Sequence, residues 1–262
     1  MKMLSTGKME TLTRIGFAAR GLMYFTIGFV ALRSGRAEDS AGALEQLSGA
    51  GRPLLLLMAL GFVAYAIWRL SEAIIDSEGH GDDAKGLAVR AGGAVSGLLH
   101  VGLALVALRL GTSRPSGAGN GEQEGAATAL SLPGGQWLLG LVAVILLVVG
   151  AYQLIKAVRG DFLKHLAPEA ARQDWVKWAG RGGYAARGIV FLMIGLFAFR
   201  AASAGDSGEA GGMEAALAAL PEALFVAVAI GFILFGAFSL VEARYRRIND
   251  PKVLDRMKAR LT

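Results

Sequence analysis

The sequence predicts an all-α polytopic membrane protein, with six transmembrane helices arranged as three repeated hairpins in pseudo-threefold packing. Three observations predict it. Of 262 residues, 54% are hydrophobic, and mean hydropathy is +0.48. The apolar residues fall in long runs rather than at the spacing of a half-buried helix. Arginines bracket these runs at an interval that recurs three times.

The leading runs read Arg14-IGFAA-Arg20-Gly21-LMYFTIGFVAL-Arg33, Arg90-AGGAV-Ser96-Gly97-LLHVGLALVAL-Arg109 and Arg181-GGYAA-Arg187-Gly188-IVFLMIGLFAF-Arg200. In each copy 18 residues separate the bracketing arginines. At 1.5 Å per residue that is about 27 Å, close to the hydrocarbon thickness of a bilayer. A second apolar run closes each copy: Pro53 to Ile75, Gln136 to Ile155, and Ala223 to Val241. These runs end in register, with Glu72, Lys156 and Glu242 at one position. Between the two runs of each copy lies a short Ala/Leu piece (AGALEQL, GAATALSL or GGMEAALAAL), long enough for two helical turns lying at the membrane interface. The chain thus divides into repeat 1 over 1–78, repeat 2 over 85–162, repeat 3 over 175–247 and a tail over 248–262.

Charge sets the expected orientation. Of 27 Lys and Arg residues, eighteen lie on the side of the termini, six on the opposite side and three within the runs. All eight lysines share the terminal side. By the positive-inside bias, both termini face the cytoplasm, where the basic residues meet anionic head groups. The net charge of +6 is accounted for in this way, and nucleic acid is not expected as a partner. The start, Met1 to Arg14, resembles the charged opening of a signal peptide. Arg20 inside the following run, and the lack of a small-residue cleavage site, make that run a retained helix. Trp175, Lys177 and Trp178 suggest a short interfacial helix over 169–180. In the tail, Asp250 and Pro251 open an amphipathic helix with Val253, Leu254, Met257 and Leu261 on one face.

The Arg-x5-Arg-Gly pattern resembles a bacterial membrane family catalogued as domain of unknown function 1206. Members of that family look like three tandem two-helix units. Repeats 1 and 3 carry the pattern fully, and repeat 2 has Ser96 in place of the inner arginine. The resemblance implies this architecture and a bacterial inner-membrane location, but no activity.

A charge inside an apolar span costs roughly 2.5–3.5 kcal/mol, so each one needs a partner or a purpose. Arg20 lies about 9 Å beyond Arg14 along the helix, at a depth similar to that of Glu72, and Arg187 and Glu242 repeat the arrangement. In the middle copy both positions change together, to Ser96 and Lys156, which suggests that they face each other within each hairpin. Two readings follow. One is an intra-repeat ion pair that fixes register. The other is an anion site on the cytoplasmic side, formed by Arg20, Arg187 and Lys156 with Glu72, Glu242 and His100. His100, the only histidine in a span, aligns with Tyr24 and Phe191 and is expected to be a hydrogen-bonded packing residue. His80, Asp82 and Asp83 have no rigid ligand spacing and read as a solvated turn.

The helix-end arginines Arg14, Arg33, Arg90, Arg109, Arg181 and Arg200 fit helix-dipole and lipid-phosphate contacts. Gly21, Gly28, Gly97, Gly188 and Gly195 recur at seven-residue spacing and mark close helix packing. They suggest that the three leading helices lie at the centre, with the second helices outside. No metal, cofactor or catalytic motif is expected: the chain has no cysteine, H-E-x-x-H, G-x-S-x-G or phosphate loop. The Gly-rich run 117–121 reads as a linker. The expected role is therefore that of a non-enzymatic structural or partner-binding membrane component, with the partner unspecified. The alternative is a small conduit or transporter for ions or small anions, with an Arg/Glu site at the cytoplasmic side.

Overall fold

The computed structural model describes residues 6–35, 39–49, 51–76, 79–112 and 121–246. The expected tail helix lies outside these residues, as do positions 117–120. Among the described residues six helices are long and apolar enough to cross a membrane. They are α1 (Thr6–Ser34), α3 (Arg52–Ile75), α4 (Ala84–Gly111), α6 (Gly135–Arg159), α8 (Asp174–Ala204) and α10 (Glu222–Tyr245). The short pieces form α2 (Ser40–Ser48), α5 (Gly121–Ser131) and α9 (Met213–Ala218), and one turn, α7 (Pro168–Ala171), lies in the second linker.

Local chemistry sets the helix ends. Asp39 and Asp83 cap α2 and α4, accepting from the amides of Gly42 and Gly86 at 2.7 and 2.8 Å. Pro53 sits in the first turn of α3, and Gly160 ends α6 with a left-handed φ of 72°. Trp175 and Trp178 do not form a separate helix. They lie on the first two turns of α8, which starts at Asp174, and both are exposed.

The six long helices follow one another in space as α6, α8, α10, α1, α3 and α4. The arc is curved, since Arg187 of α8 reaches the ring of Tyr24 on α1. Its tightest contacts lie between repeats rather than within them: α3 against α4, α6 against α8, and α10 back against α1. The expected arrangement, with leading helices at the centre and second helices outside, is corrected here. The glycine stripes face the second helix of the preceding repeat, not one another. A Cβ on Gly21 would lie 2.9 Å from the carbonyl oxygen of Gly236, and one on Gly28 would lie 2.4 Å from that of Ala229. Gly188 stands in the same relation to Gly150 (3.0 Å), Gly195 to Leu147, and Gly97 to Leu70. Glycine lets the backbones close where lipid gives no hydrophobic drive for association.

Within a repeat the packing differs between copies. In repeats 1 and 3 the hairpin closes because Gly16 meets the backbone of Tyr65 and Gly183 that of Phe235. On the same faces, Gly61 meets Ala19 and Gly231 meets Ala186. Repeat 2 keeps Gly92 but has Val95 and Ile145 where the others have alanine and glycine. Both bulky residues are exposed, Gly92 has nothing within 4 Å, and α4 and α6 do not pack side by side. The arc is open along this seam.

The two ends of the bundle differ. At the end carrying α2, α5 and α9 (the loop end), Ala43, Leu44, Ala216 and Leu217 are fully buried in the same cluster as Ile27, Met58, Phe62 and Phe232. Thus α2 and α9 tuck into the bundle rather than lying on its surface. At the opposite, linker end, Phe162 and Leu166 of the second linker are buried. Phe162 stacks on Tyr184 at 5.1 Å and meets Phe238 edge-on at 5.0 Å.

Three equivalent glycines then give a direct test. Gly16→Leu and Gly183→Leu force side chains into backbone and should each cost at least about 3 kcal/mol, whereas Gly92→Leu should be near neutral. Thermal unfolding of the purified protein would check this. Equal losses at all three positions would refute the open seam.

Candidate functional site

The repeated motif sits where each leading helix crosses the second helix of the preceding repeat. Its first arginine caps that neighbour. Arg90 donates to the carbonyls of Ala73 and Ile74 at the end of α3, at 3.0 and 3.2 Å, and Arg181 donates to Val158 of α6 at 3.1 Å. A guanidinium placed there satisfies terminal carbonyls and complements the helix dipole. Arg14 begins the equivalent stretch of α1. At the far ends of these helices Arg33, Arg109 and Arg200 are all exposed, as expected of lipid-facing helix ends.

The inner positions show how the three interfaces have diverged. Arg20, only 6% exposed, is fully engaged between α1 and α10. It donates to the Tyr65 hydroxyl at 2.8 Å and to Ser239 Oγ at 3.2 Å, and forms an ion pair with Glu242. Glu242 also accepts from Arg246 at 3.0 Å. The two guanidiniums share the ring of Phe17, at 4.5 and 5.0 Å. The expected pair of Arg20 with Glu72 inside one hairpin is therefore corrected. Arg20 pairs between repeats, because α1 presents its Gly21 face to α10.

At the α3–α4 interface Ser96 replaces the inner arginine and Gly93 replaces Phe17. Glu72, 1% exposed, has turned to groups near its own helix end. It pairs with Arg69 one turn earlier and with His80 Nε2 at 2.9 Å. His80 is held by the linker: Asp76, in a left-handed conformation at φ 51°, accepts from the amides of His80 and Gly81 at 2.6 and 2.9 Å. Burial opposes the ionisation of Asp76, but these two donors outweigh it and hold its carboxyl below the ordinary range. The turn is exposed, as read from the sequence, and its own contacts order it: Asp82 accepts from Arg90 at 2.5 Å and Asp83 caps α4. No group of three metal-ligating side chains occurs among the described residues.

At the α6–α8 interface the carboxylate position holds Lys156, whose Nζ lies 4.5 Å from the ring of Tyr184. Among the described residues Arg187 meets no carboxylate. It points into the arc, with rings of Phe235, Tyr24 and Phe191 at 4.7, 5.4 and 5.4 Å. Its Nε is buried without an acceptor. His100 bonds Ser96 carbonyl oxygen through Nδ1 at 2.7 Å and lies 4.2 Å from the Tyr65 ring, in the field of Arg20, Arg187 and Arg69.

Sequence reasoning named the charged positions but missed Tyr65, Ser239, Arg246 and Phe235, which complete the shell around Arg20. Register supplied a signal: Tyr65 aligns with Phe235 two turns before the Glu position, and Ser239 lies three residues before Glu242. Which repeat supplies the partner has no signal within a single hairpin.

This repeated interface, six helices from three units closed last onto first, places the molecule among triplicated two-helix membrane proteins. The chain belongs to the family described as Domain of Unknown Function (DUF1206), which matches residues 15–76, 91–160 and 182–246. It is 33% identical over 253 residues to "Uncharacterized protein YxxB" of Bacillus subtilis (strain 168), covering 91% of this chain and 92% of that one. No solved structure matches.

Two tests follow from the geometry. Arg20→Ala leaves the buried Glu242 with Arg246 alone and should cost about 3 kcal/mol. Adding Glu242→Ala should recover part of that loss, with a coupling of roughly 1–3 kcal/mol in a double-mutant cycle. A coupling to Glu72 as large as that to Glu242 would refute the inter-repeat pair. The second test concerns pH. A carboxyl with a lowered native pKa stabilises fully above its unfolded value, near 3.8, and loses that contribution as pH falls through the native one. The stability difference between wild type and Asp76→Asn should therefore be constant above about pH 5 and shrink below about pH 4. A pH-independent difference would exclude the ionised carboxylate as its source.

Proposed function

We propose that this protein is a non-enzymatic component of a bacterial inner membrane, acting through its structure or through a partner it holds. The observation that carries this reading is the sealed loop end. Leu44 of α2 and Leu217 of α9 are fully buried among the aromatic residues of the long helices. A pathway across the bilayer would have to pass that apolar plug. The two carboxylates in the spans are also neutralised internally, Glu242 by Arg20 and Arg246, and Glu72 by Arg69 and His80. Buried charges matched in this way fix helix register, a use well suited to a scaffold.

We further propose cytoplasmic termini. The eighteen basic residues on the linker side, against six opposite, support that orientation. Exposed Trp175 and Trp178 at the start of α8 suit the head-group region of the same leaflet, and anionic lipids are the natural neighbours of these segments.

Reconstitution into liposomes provides the test. Salt and weak-acid fluxes should equal those of protein-free vesicles; protein-dependent flux would overturn the scaffold reading in favour of a conduit. For orientation, the cysteine-free chain permits single-site labelling. Asn120→Cys should react from outside intact cells and Thr262→Cys only after permeabilisation. Labelling of both from one side would reject the orientation.

A further inference from the structure

Of the three equivalent interfaces between repeats, one carries a cation where its sister carries a carboxylate. At α10–α1, Glu242 meets Arg20. At α6–α8, the same two positions are Lys156 and Arg187. The helix packing is otherwise alike, with Gly21 against Gly236 in one and Gly188 against Gly150 in the other. The aromatic ring between the paired positions is also kept: Phe17 carries Arg20, and Tyr184 carries Lys156. Arg187 has left that ring for Phe235 in the interior of the arc.

Arg187 lies about 9 Å inside the apolar span, six residues beyond Arg181. Among the described residues it has no hydrogen bond and no ion pair, and its Nε is buried without an acceptor. The rings of Phe235, Tyr24 and Phe191 stabilise the charge but accept none of its five N–H donors in the manner of an oxygen. Cations outnumber anions there: Arg20, Arg69 and Arg187 all stand near His100 and Tyr65, whereas the carboxylate that also reaches Tyr65, Glu242, is already paired with Arg20 and Arg246. Unlike Arg20, Arg187 is only half-buried, so its open donors remain reachable.

We propose that Arg187 is the seat of a bound oxyanion, a phosphate group that supplies the counter-charge Glu242 supplies in the sister interface. A planar guanidinium with free donors matches the bidentate geometry of phosphate oxygens, and an aromatic surround strengthens the contact by excluding water. Phosphate reaches this depth either as a free ion from the linker end or as the head group of an anionic phospholipid. The second route uses the open seam between α4 and α6. The proposal does not depend on the scaffold reading: a phosphate held at Arg187 requires no flux.

The test uses the full chain in nanodiscs, with inorganic phosphate and phosphatidylglycerol as probes. In phosphatidylcholine nanodiscs, inorganic phosphate should raise the thermal midpoint of wild type. Alternatively, if lipid is the source, free phosphate should do nothing. Phosphatidylglycerol should then raise the midpoint and survive purification, as seen by native mass spectrometry. Either response should weaken at least tenfold in Arg187→Gln and persist in Arg33→Gln, whose arginine is exposed at the loop end. Lys156→Glu restores the sister carboxylate, so it should raise the ligand-free midpoint and abolish the response. No stabilisation by either probe, or an undiminished response in Arg187→Gln, would overturn the proposal. Should Arg187→Gln fail to fold, an undiminished response in Lys156→Glu would do the same.

Discussion

Closure of the last helix onto the first is the constraint on which the rest of this structure depends. Gly21 and Gly236 bring α1 and α10 together until each backbone leaves no room for a Cβ on the other. That approach places Arg20 beside Glu242, Ser239 and Tyr65, three acceptors supplied by two different repeats. Without it, Arg20 would keep only Tyr65 and Glu242 only Arg246, so each charge would be under-paired at a depth where that is costly. Backbone proximity and charge pairing are therefore one feature. The glycines set the distance, and the ion pair makes any other register costly.

The same logic explains what could be read from the sequence. Helix number, length and repetition are written in local quantities: run length, bracketing arginines and residue-by-residue alignment of three copies. The short loop helices α2, α5 and α9 were legible for the same reason. Pairing was not. Arg20 and Glu72 sit at matched depths in adjacent helices, so one hairpin viewed alone admits their contact. Only the packing of Gly21 on Gly236 and Gly97 on Leu70 shows that each leading helix turns its glycine face to the previous repeat. The joint change to Ser96 and Lys156 was a true signal read in the wrong frame. Ser96 lies opposite Glu72, and Lys156 opposite Arg187, across two different interfaces.

Burial of Phe162 was also hidden. It stands in a polar linker between Asp161 and Lys164, where no periodicity marks a core position. Its place is fixed by Gly180, whose absent side chain leaves the space the ring occupies. Sequence describes a segment by its neighbours along the chain, whereas this ring is held by residues of α8 and α10. The loop end gives a related case. AGALEQL and GGMEAALAAL read as surface helices because two turns of Ala and Leu are only weakly amphipathic. Leu44 and Leu217 become core residues once three hairpins converge and leave an apolar mouth to fill.

Triplication also sets how the copies could diverge. A hairpin that must close on two neighbours has little freedom where backbones meet, and Gly16, Gly92 and Gly183, like Gly21, Gly97 and Gly188, are kept in all three copies. The inner polar positions are freer, because the interface holds through backbone contact even where the charge pair is lost. The three interfaces accordingly hold three solutions: a complete ion pair, a carboxylate turned back to Arg69 and His80, and two cations without an internal counter-charge. Repeat 2 takes part in both departures. It is also the copy whose own hairpin has opened, through Val95 and Ile145 in place of Ala and Gly. Loss of intra-repeat packing and loss of charge pairing thus fall on the same unit. The α6–α8 interface, shared by repeats 2 and 3, therefore combines both departures: it borders the open seam and, among the described residues, sets Lys156 and Arg187 together with no carboxylate between them.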